Sequence, residues 1–267
     1  MSPGSETTTP ASFAPASETQ LGKATQSGAT APIALVTAGA RRLAKAMVMR
    51  LAQLGYDVAL HYNSSQTDAE QTASEVKVLG RRCFIFQRDF ADPCDVQSLI
   101  TEVKQNMGAP SLLINSASAF IKNKLLTATE DQFDLDFDLH VKVPFFLTQA
   151  FARECGRGMI VNMVDTAITR CQTEYFTYLL SKKALFELTR MSASELAPNI
   201  RVNCIAPGLI MQPVGVEIQT YENAADQNLL QKRLGPDNVV MALEYLIKNE
   251  LVTGECLFVD AGDHIGV

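Results

Sequence analysis

Short apolar runs alternate with amphipathic stretches along this chain, and that alternation restricts its fold more than any other feature. Pro32-Ile33-Ala34-Leu35-Val36 is a short apolar run, followed by an amphipathic stretch from Arg41 to Leu54 that stops at Gly55. A strand-like Asp57–His61 precedes a helical Thr67–Leu79, and Cys83–Phe86 precedes a helical Asp95–Met107. Ser111–Asn115 leads into a long helical region, Glu130–Glu154, in which Pro144 predicts a kink. Met159–Val164, Ile200–Ile205 and Leu257–Asp260 complete the strands, and a further helix carries Tyr178 and continues to Leu196. Strands separated by helices at this spacing form βαβ units, hence a parallel sheet with helices on both faces.

Right-handed crossovers turn that pattern into an α/β, single-domain, doubly wound sheet of Rossmann type, with ligands at the carboxyl ends of the strands. A chain of 267 residues, 47% hydrophobic and 19% charged, buries a large core in one domain, expected over residues 31–267. Residues 1–30 are rich in Ser, Thr, Ala, Pro and Gly and poor in large apolar side chains, so a disordered N-terminal tail is expected. The tail lacks the apolar centre of a secretory signal, and it carries Glu6 and Glu18 but no arginine, unlike an organellar transit peptide. A net charge of −6, without runs of Lys and Arg, argues against a nucleic-acid partner. No apolar stretch reaches the ~18–20 residues needed to cross a bilayer. The six cysteines are scattered with no C-x-x-C pair. That spacing suits buried thiols in a reducing, cytoplasmic setting and predicts no metal site.

Tyr178 and Lys182 stand one helical turn apart on the same face. An ammonium that close is expected to lower the tyrosine pKa, so that the phenol exchanges protons near neutral pH. Taken alone, the spacing is common. Here a glycine-containing strand-to-helix turn lies upstream and Asn203-Cys204-Ile205-Ala206-Pro207-Gly208 lies downstream.

Thr37-Ala38-Gly39-Ala40-Arg41-Arg42-Leu43-Ala44, Asn115-Ser116-Ala117-Ser118, the Tyr178 and Lys182 pair, and Pro207-Gly208 together resemble the short-chain dehydrogenase/reductase superfamily. The resemblance covers everything after the tail. Three local features are similar to the pteridine reductases within it. The first turn carries Arg41-Arg42-Leu43 where most relatives have a glycine pair. Asn115-Ser116-Ala117-Ser118-Ala119-Phe120 resembles their N-N-A-S-S-F. Asp165, in Asn162-Met163-Val164-Asp165, stands where most of the superfamily has its catalytic serine.

A strand-to-helix turn offers backbone N–H groups to a pyrophosphate, and glycine is usual there because the phosphate approaches closely. Ala38 and Ala44 replace glycines of the relatives. An alanine at position 38 is expected to need a negative φ. The second strand is followed by Tyr62-Asn63-Ser64-Ser65, with no acid to hold a ribose 2′-hydroxyl, and Arg41 and Arg42 add positive charge. Those features favour NADPH/NADP+ over NADH; solvated arginines are the plainer alternative. The resemblance implies cofactor contacts from Arg42, Leu43, Asn63, Ser64, Ser65, Asp89, Phe90, Asn115, Ser116, Ala117, Met163, Lys182, Pro207 and Gly208. Within that set, Asp89 would hold the adenine amino group and Asn115 to Ala117 would line the adenosine ribose.

Tyr178 is the expected proton donor to the atom beside the hydride acceptor, with Lys182 tuning it and bonding the nicotinamide ribose as the resemblance implies. Asp165 lies at the carboxyl edge of the sheet, where a half-buried carboxyl can serve a nitrogen heterocycle; a helix cap is its plainer role. Phe120 is expected to stack a flat pterin, or else to pack in the core, and Arg42 and Ser118 complete the substrate set with Asp165 and Tyr178. One departure concerns the long helix, where many relatives place an asparagine that serves a water relay. His140 stands there, either in the relay or as a core or interface histidine. Asp134, Asp136 and Asp138 just before it read as a solvated acidic stretch.

The resemblance also implies a homodimer or homotetramer built through the helices before and after the fifth strand. Residues 209–235, which lack strong periodicity, are the expected substrate lid. Three functions follow as expectations. The first is NADPH-dependent reduction of a dihydropterin or dihydrofolate-like pterin. The second is carbonyl reduction in the same superfamily, for example of a 3-oxoacyl thioester, against which Asp165 and Phe120 argue. The third is a non-catalytic NADP-binding protein, against which Tyr178, Lys182 and Asp165 argue.

Overall fold

The computed structural model describes residues 30–90, 93–212, 217–224 and 227–266. The expected tail lies outside them apart from Thr30, as do residues 213–216 and 225–226 of the expected lid. Ala31–Val267 forms one compact unit. Its elements in chain order are β1 (Ile33–Val36), α1 (Arg42–Gln53), β2 (Asp57–Tyr62), α2 (Gln66–Val78), β3 (Cys83–Gln87), α3 (Pro93–Met107) and β4 (Leu112–Asn115). These are followed by α4 (Glu130–Phe137), α5 (Val143–Cys155), β5 (Gly158–Met163), α6 (Phe176–Leu196), β6 (Ile200–Pro207), α7 (Ile218–Ala224), α8 (Pro236–Lys248) and β7 (Cys256–Val259).

The strands form a seven-stranded sheet in the order β3-β2-β1-β4-β5-β6-β7. All neighbouring pairs are parallel. The order reverses between β1 and β4, which opens a crevice at their carboxyl ends. Successive side chains of a strand point to opposite faces, so each central strand feeds two cores. Ala34 and Val36 of β1, Val58 and Leu60 of β2, and Leu112 and Ile114 of β4 join α1, α2 and α8 in one core. Ile33, Leu35, Ala59 and Leu113 join α3, α5 and α6 in the other. Burial on both faces explains why these strands read as continuous apolar runs. Among the described residues no helix is long and apolar enough to cross a membrane.

The long helix loses its regular pitch in the turn before Pro144: a π-helical turn, Asp138–Lys142, joins α4 to α5 with the backbone still in the right-handed helical region. Pro144, in the first turn of α5, has no N–H to bond back into that turn, so the irregularity lies where a proline acts. One expectation changes, at the first turn. Ala38 adopts φ 52°, in the left-handed region, and not the negative φ expected of an alanine there. Its N–H donates to His61 Nδ1 at 3.1 Å, and the next N–H, of Gly39, donates to the His61 carbonyl at 3.0 Å. Those two bonds from the end of β2 hold the turn in a conformation that an L-residue disfavours by about 1–2 kcal/mol. A Cβ on Gly39 would lie 3.1 Å from Leu60 Cγ and 3.2 Å from Val48 Cγ2. The glycine therefore serves the close packing of α1 on the sheet.

Ala38→Gly relieves the left-handed strain and loses ~0.4–1 kcal/mol to unfolded-chain entropy. Urea unfolding should therefore show a net change between about zero and a gain of about 1.6 kcal/mol, and a clear loss of stability would contradict the left-handed geometry at this turn.

Candidate active site

The carboxyl ends of β1, β4 and β5 converge on one crevice, and hydroxyl and amide side chains fasten them together. Thr37 Oγ1 accepts the N–H groups of Ser116 at 2.8 Å and Ala117 at 3.1 Å, tying the first turn to the end of β4. Asn115 Nδ2 donates to Asn162 Oδ1 at 2.8 Å, and Asn162 Nδ2 donates to Thr189 Oγ1 at 2.9 Å, tying β4 to β5 and α6. The buried Asn115 side chain thus turns beneath the crevice, while Ala117 and Ser118 line it.

A cleft of ≈ 360 Å³ opens here, lined among others by Ala38, Asn63, Asp89, Phe90, Ala117 and Ser118. That volume suits a small-molecule or cofactor fragment. Asn63 Nδ2 donates to Asp89 Oδ1 at 3.4 Å, and Phe90 stacks on His61 with ring centroids 4.0 Å apart. Burial holds the His61 imidazole down at about 4, so it is neutral and can accept the Ala38 N–H. Ser65 caps the amino end of α2 without a side-chain capping bond, and Ser64 beside it is exposed. Arg41 Nε lies 3.7 Å from Asp68 in the first turn of α2, on the same edge. Arg42 points the other way. Its guanidinium donates to the Gln212 carbonyl at 2.7 Å, joining the first turn to the segment after β6. Half-buried Leu43 packs on the α1 core. A Cβ on Gly208, just past β6, would lie 2.8 Å from Asp260 Cβ, so close approach to the chain after β7 requires glycine there.

Tyr178, Lys182 and Asp165 meet at the mouth of β5. The Tyr178 hydroxyl donates to Asp165 Oδ2 at 2.9 Å. Asp165 Oδ1 accepts the Ala167 N–H at 2.8 Å, capping the 3-10 turn Thr166–Thr169. The capping role and the site role of Asp165 therefore coexist, one on each oxygen. Lys182 Nζ donates to the Met163 carbonyl at 2.8 Å and lies 5.6 Å from the Tyr178 ring centroid. Burial lowers the Lys182 pKa to about 8, against the opposing pull of the Asp165 and Asp136 charges.

Tyr178 departs from the expectation. Burial first, then the Asp165 charge and hydrogen bond, raise its pKa well above the ordinary value. The neighbouring ammonium does not lower it, because the phenol is buried with its hydroxyl on a carboxylate. A phenol so held stays protonated at neutral pH and has a proton to give.

Phe120 is 45% exposed beside this cluster and meets the Tyr178 ring edge-on, with centroids 4.8 Å apart. Its other partner is Tyr175, stacked at 4.0 Å, which the sequence reading missed. Tyr175 precedes α6 with φ 57°, and that left-handed turn swings its ring toward Phe120. Nothing in the linear pattern marks a tyrosine as left-handed, so the signal was absent. His140 is fully buried in the π turn. Its Nε2 accepts the Ala119 N–H at 3.2 Å and lies 3.0 Å from Ser118 Oγ, while Nδ1 lies 2.9 Å from Ser181 Oγ. Ser181 Oγ itself donates to the Tyr178 carbonyl, which makes Nδ1 the protonated nitrogen. His140 so fixes the loop that bears Ser118 and Phe120.

The part of the expected lid that is described contains α7, and Leu229 packs against Gly262 of the C-terminal segment. Helix α8, which follows, was absent from the sequence reading, although Gly235-Pro236 and the spacing of Val239, Val240, Leu243 and Leu246 mark it.

A family model described as "Enoyl-(Acyl carrier protein) reductase" matches residues 38–264. A 3-oxoacyl-[acyl-carrier-protein] reductase FabG of Staphylococcus epidermidis is 29% identical over 86% of this chain and 97% of its own. A dihydromonapterin reductase of Escherichia coli is 27% identical over 86% of this chain and 96% of its own. The crystal structure of FolM alternative dihydrofolate reductase 1 from Brucella canis, complexed with NADP, is 32% identical. It superposes with a TM-score of 0.83, covering 88% of this chain and 95% of that one. Its counterpart from Brucella suis, also with NADP, is 32% identical with a TM-score of 0.84. The chain belongs to the short-chain dehydrogenase/reductase family of oxidoreductases, and within it is most similar to the pteridine reductases.

Proposed function

We propose that the protein reduces a pterin, of the dihydropterin or dihydrofolate type, with NADPH as hydride source. The observation that carries the reading is the Tyr178 hydroxyl bonded to Asp165 at 2.9 Å beside the exposed Phe120 face. The residues present fit the coenzyme. Asn63, Asp89 and Ala117 border the cleft, and two residues after Asn63 the Ser65 hydroxyl at the amino end of α2 makes no capping bond among the described residues. No acid follows β2 to repel a 2′-phosphate, and Arg41 stands at the same edge. When bound, the nicotinamide ring supplies a hydride to an electrophilic carbon of the substrate.

The chain's own residues then handle the proton. Tyr178 donates from its hydroxyl to the ring nitrogen next to the carbon being reduced. Asp165, already the acceptor of that hydroxyl, orients it and offers an acceptor to pterin N–H groups. Lys182 balances the phenolate that forms. Phe120, backed by Tyr175, gives a flat wall for a flat heterocycle. The Brucella structures, described as alternative dihydrofolate reductases with NADP, and the dihydromonapterin reductase support this assignment. The similarity to FabG supports a second reading as a 3-oxoacyl-thioester reductase. A ketone needs only a hydroxyl donor, so the carboxylate at position 165 favours the pterin. Assembly as a homodimer or homotetramer is supported by Phe145 on α5 and Leu180 and Met191 on α6, all large apolar side chains left exposed on one chain.

Three outcomes test the reading. NADPH should bind at least about tenfold more tightly than NADH, a difference of about 1.4 kcal/mol; equal dissociation constants by fluorescence titration would remove the 2′-phosphate site. The Lys182 ammonium is charged below its pKa of about 8 and neutral above it. kcat/KM for NADPH-dependent reduction should therefore hold up to about pH 8 and fall as pH rises beyond; a profile flat to pH 9.5 counts against Lys182. Asp165→Ser should cost kcat/KM for dihydrobiopterin or dihydrofolate about 10²–10⁴-fold, and far less for an acetoacetyl thioester. Pterin reduction left intact by that change, or a wild type that turns over only the thioester, would replace the pterin assignment with the carbonyl one.

A further inference from the structure

Asp136 belongs to the alternating Asp134, Asp136, Asp138 run that reads as a solvated acidic stretch. The structure corrects that reading for one member. Asp134 is exposed and Asp138 pairs with Lys142 at 2.9 Å, both at the surface. Asp136 is fully buried, because helical spacing turns it inward one turn before His140. Its Oδ2 accepts the Thr177 hydroxyl at 2.6 Å, and Thr177 directly precedes Tyr178. Among the described residues its Oδ1 has no hydrogen-bond partner, and it lies 3.8 Å from His140 Nδ1.

A buried carboxylate with one oxygen unbonded is costly unless a positive charge compensates it. The groups around it are few. From the π turn comes His140, whose pKa burial and the Lys182 charge push down to about 2, so it is neutral. From α6 come Tyr178, a neutral phenol, and Lys182. Asp165 faces the same lysine from beyond β5. Among the described residues, Lys182 is thus the cation that acts on this buried group. Burial raises the Asp136 pKa above the ordinary carboxylate range, with the Thr177 hydrogen bond and the Lys182 charge opposing that rise, and the Asp136 charge in turn works against the burial that lowers Lys182.

We infer that Asp136 is a positioning residue of the site: a buried counter-charge, set behind Tyr178 on the Thr177 hydroxyl, that keeps Lys182 an ammonium. Asp165 faces the crevice and changes partners as substrate binds and leaves. Asp136 is walled off by α4, the π turn and α6, and its charge acts on Lys182 throughout the cycle. Without it, burial leaves Lys182 with Asp165 alone, and the ammonium deprotonates at a lower pH.

This inference rests on the reading of Lys182 as the charged partner of Tyr178, and the test separates the two. Lysine Nζ resonances of the ¹⁵N-labelled protein are followed against pH without substrate, with Lys182 assigned from Lys182→Arg. Asp136→Asn keeps the acceptor for Thr177 and removes the charge; the Lys182 midpoint should fall by about one pH unit. Asp136→Glu should restore it, and Asp134→Asn should leave it where it was. The basic limb of kcat/KM should move with the resonance. A Lys182 midpoint unchanged in Asp136→Asn, or moved equally by Asp134→Asn, overturns the inference. A midpoint that shifts while the kinetic limb stays put upholds the Asp136 coupling and overturns the role of Lys182 in turnover. If Asp136→Asn fails to fold by circular dichroism, the carboxyl ¹³C resonance of wild-type Asp136 decides. Ionised Asp136 at neutral pH, with an inflection at the Lys182 midpoint, supports the inference. A protonated Asp136 throughout that titration overturns it.

Discussion

A buried ammonium, Lys182, is the feature on which the rest of the site depends. Burial of a charge is among the most costly things a fold does, and the chain surrounds this one with compensation. The Met163 carbonyl at the end of β5 takes one of its protons at 2.8 Å. Asp165 and Asp136 act on it from two directions. Those partners sit on β5, on the turn after it and on α4, so the lysine can be buried and still charged only when the sheet edge and both helices are in place. The chemistry is therefore available only in the folded molecule.

The phenol beside it follows the same logic with the opposite sign. Tyr178 is buried with its hydroxyl on a carboxylate, and both effects favour the protonated form. A proton donor for a reduction is best kept loaded until hydride arrives. In the proposed reduction, negative charge developing on the phenol oxygen would meet the Lys182 charge, and complementarity that grows toward the transition state is what accelerates a reaction.

Strain and packing around the crevice serve positioning. Ala38 at φ 52° and Tyr175 at φ 57° are left-handed without being glycine, and each is held by neighbours. The His61 ring and carbonyl fix the first; stacking against Phe120 accompanies the second. Strained backbone of this kind persists where surrounding structure over-determines it. The π turn adds a third irregularity, and it turns His140 inward to hold Ser118 and Ala119. All three lie at the carboxyl edge of the sheet.

Sequence alone determined the architecture, because a strand buried on both faces must be apolar throughout and a helix on a sheet must be apolar on one side. Those constraints act locally, and β1 to β7 and α1 to α3 stand in the chain as periodicity with glycine stops. The residue types of Tyr178, Lys182, Asp165 and Phe120 were legible for the same reason, as short spacings within single elements. Helix α8 carried a legible signal as well, in Gly235-Pro236 and its apolar spacing. What only the tertiary structure decided concerns the environment of a group. Asp134, Asp136 and Asp138 look alike in the chain, yet only Asp136 is sealed against α6. Tyr178 with Lys182 suggested a lowered pKa, and burial with Asp165 reversed the direction. Arg42 donates to the Gln212 carbonyl, 170 residues on, a contact that no spacing in the chain marks. Dielectric, charge pairing and backbone strain are sums over neighbours distant in sequence, and those sums exist only once the chain has folded.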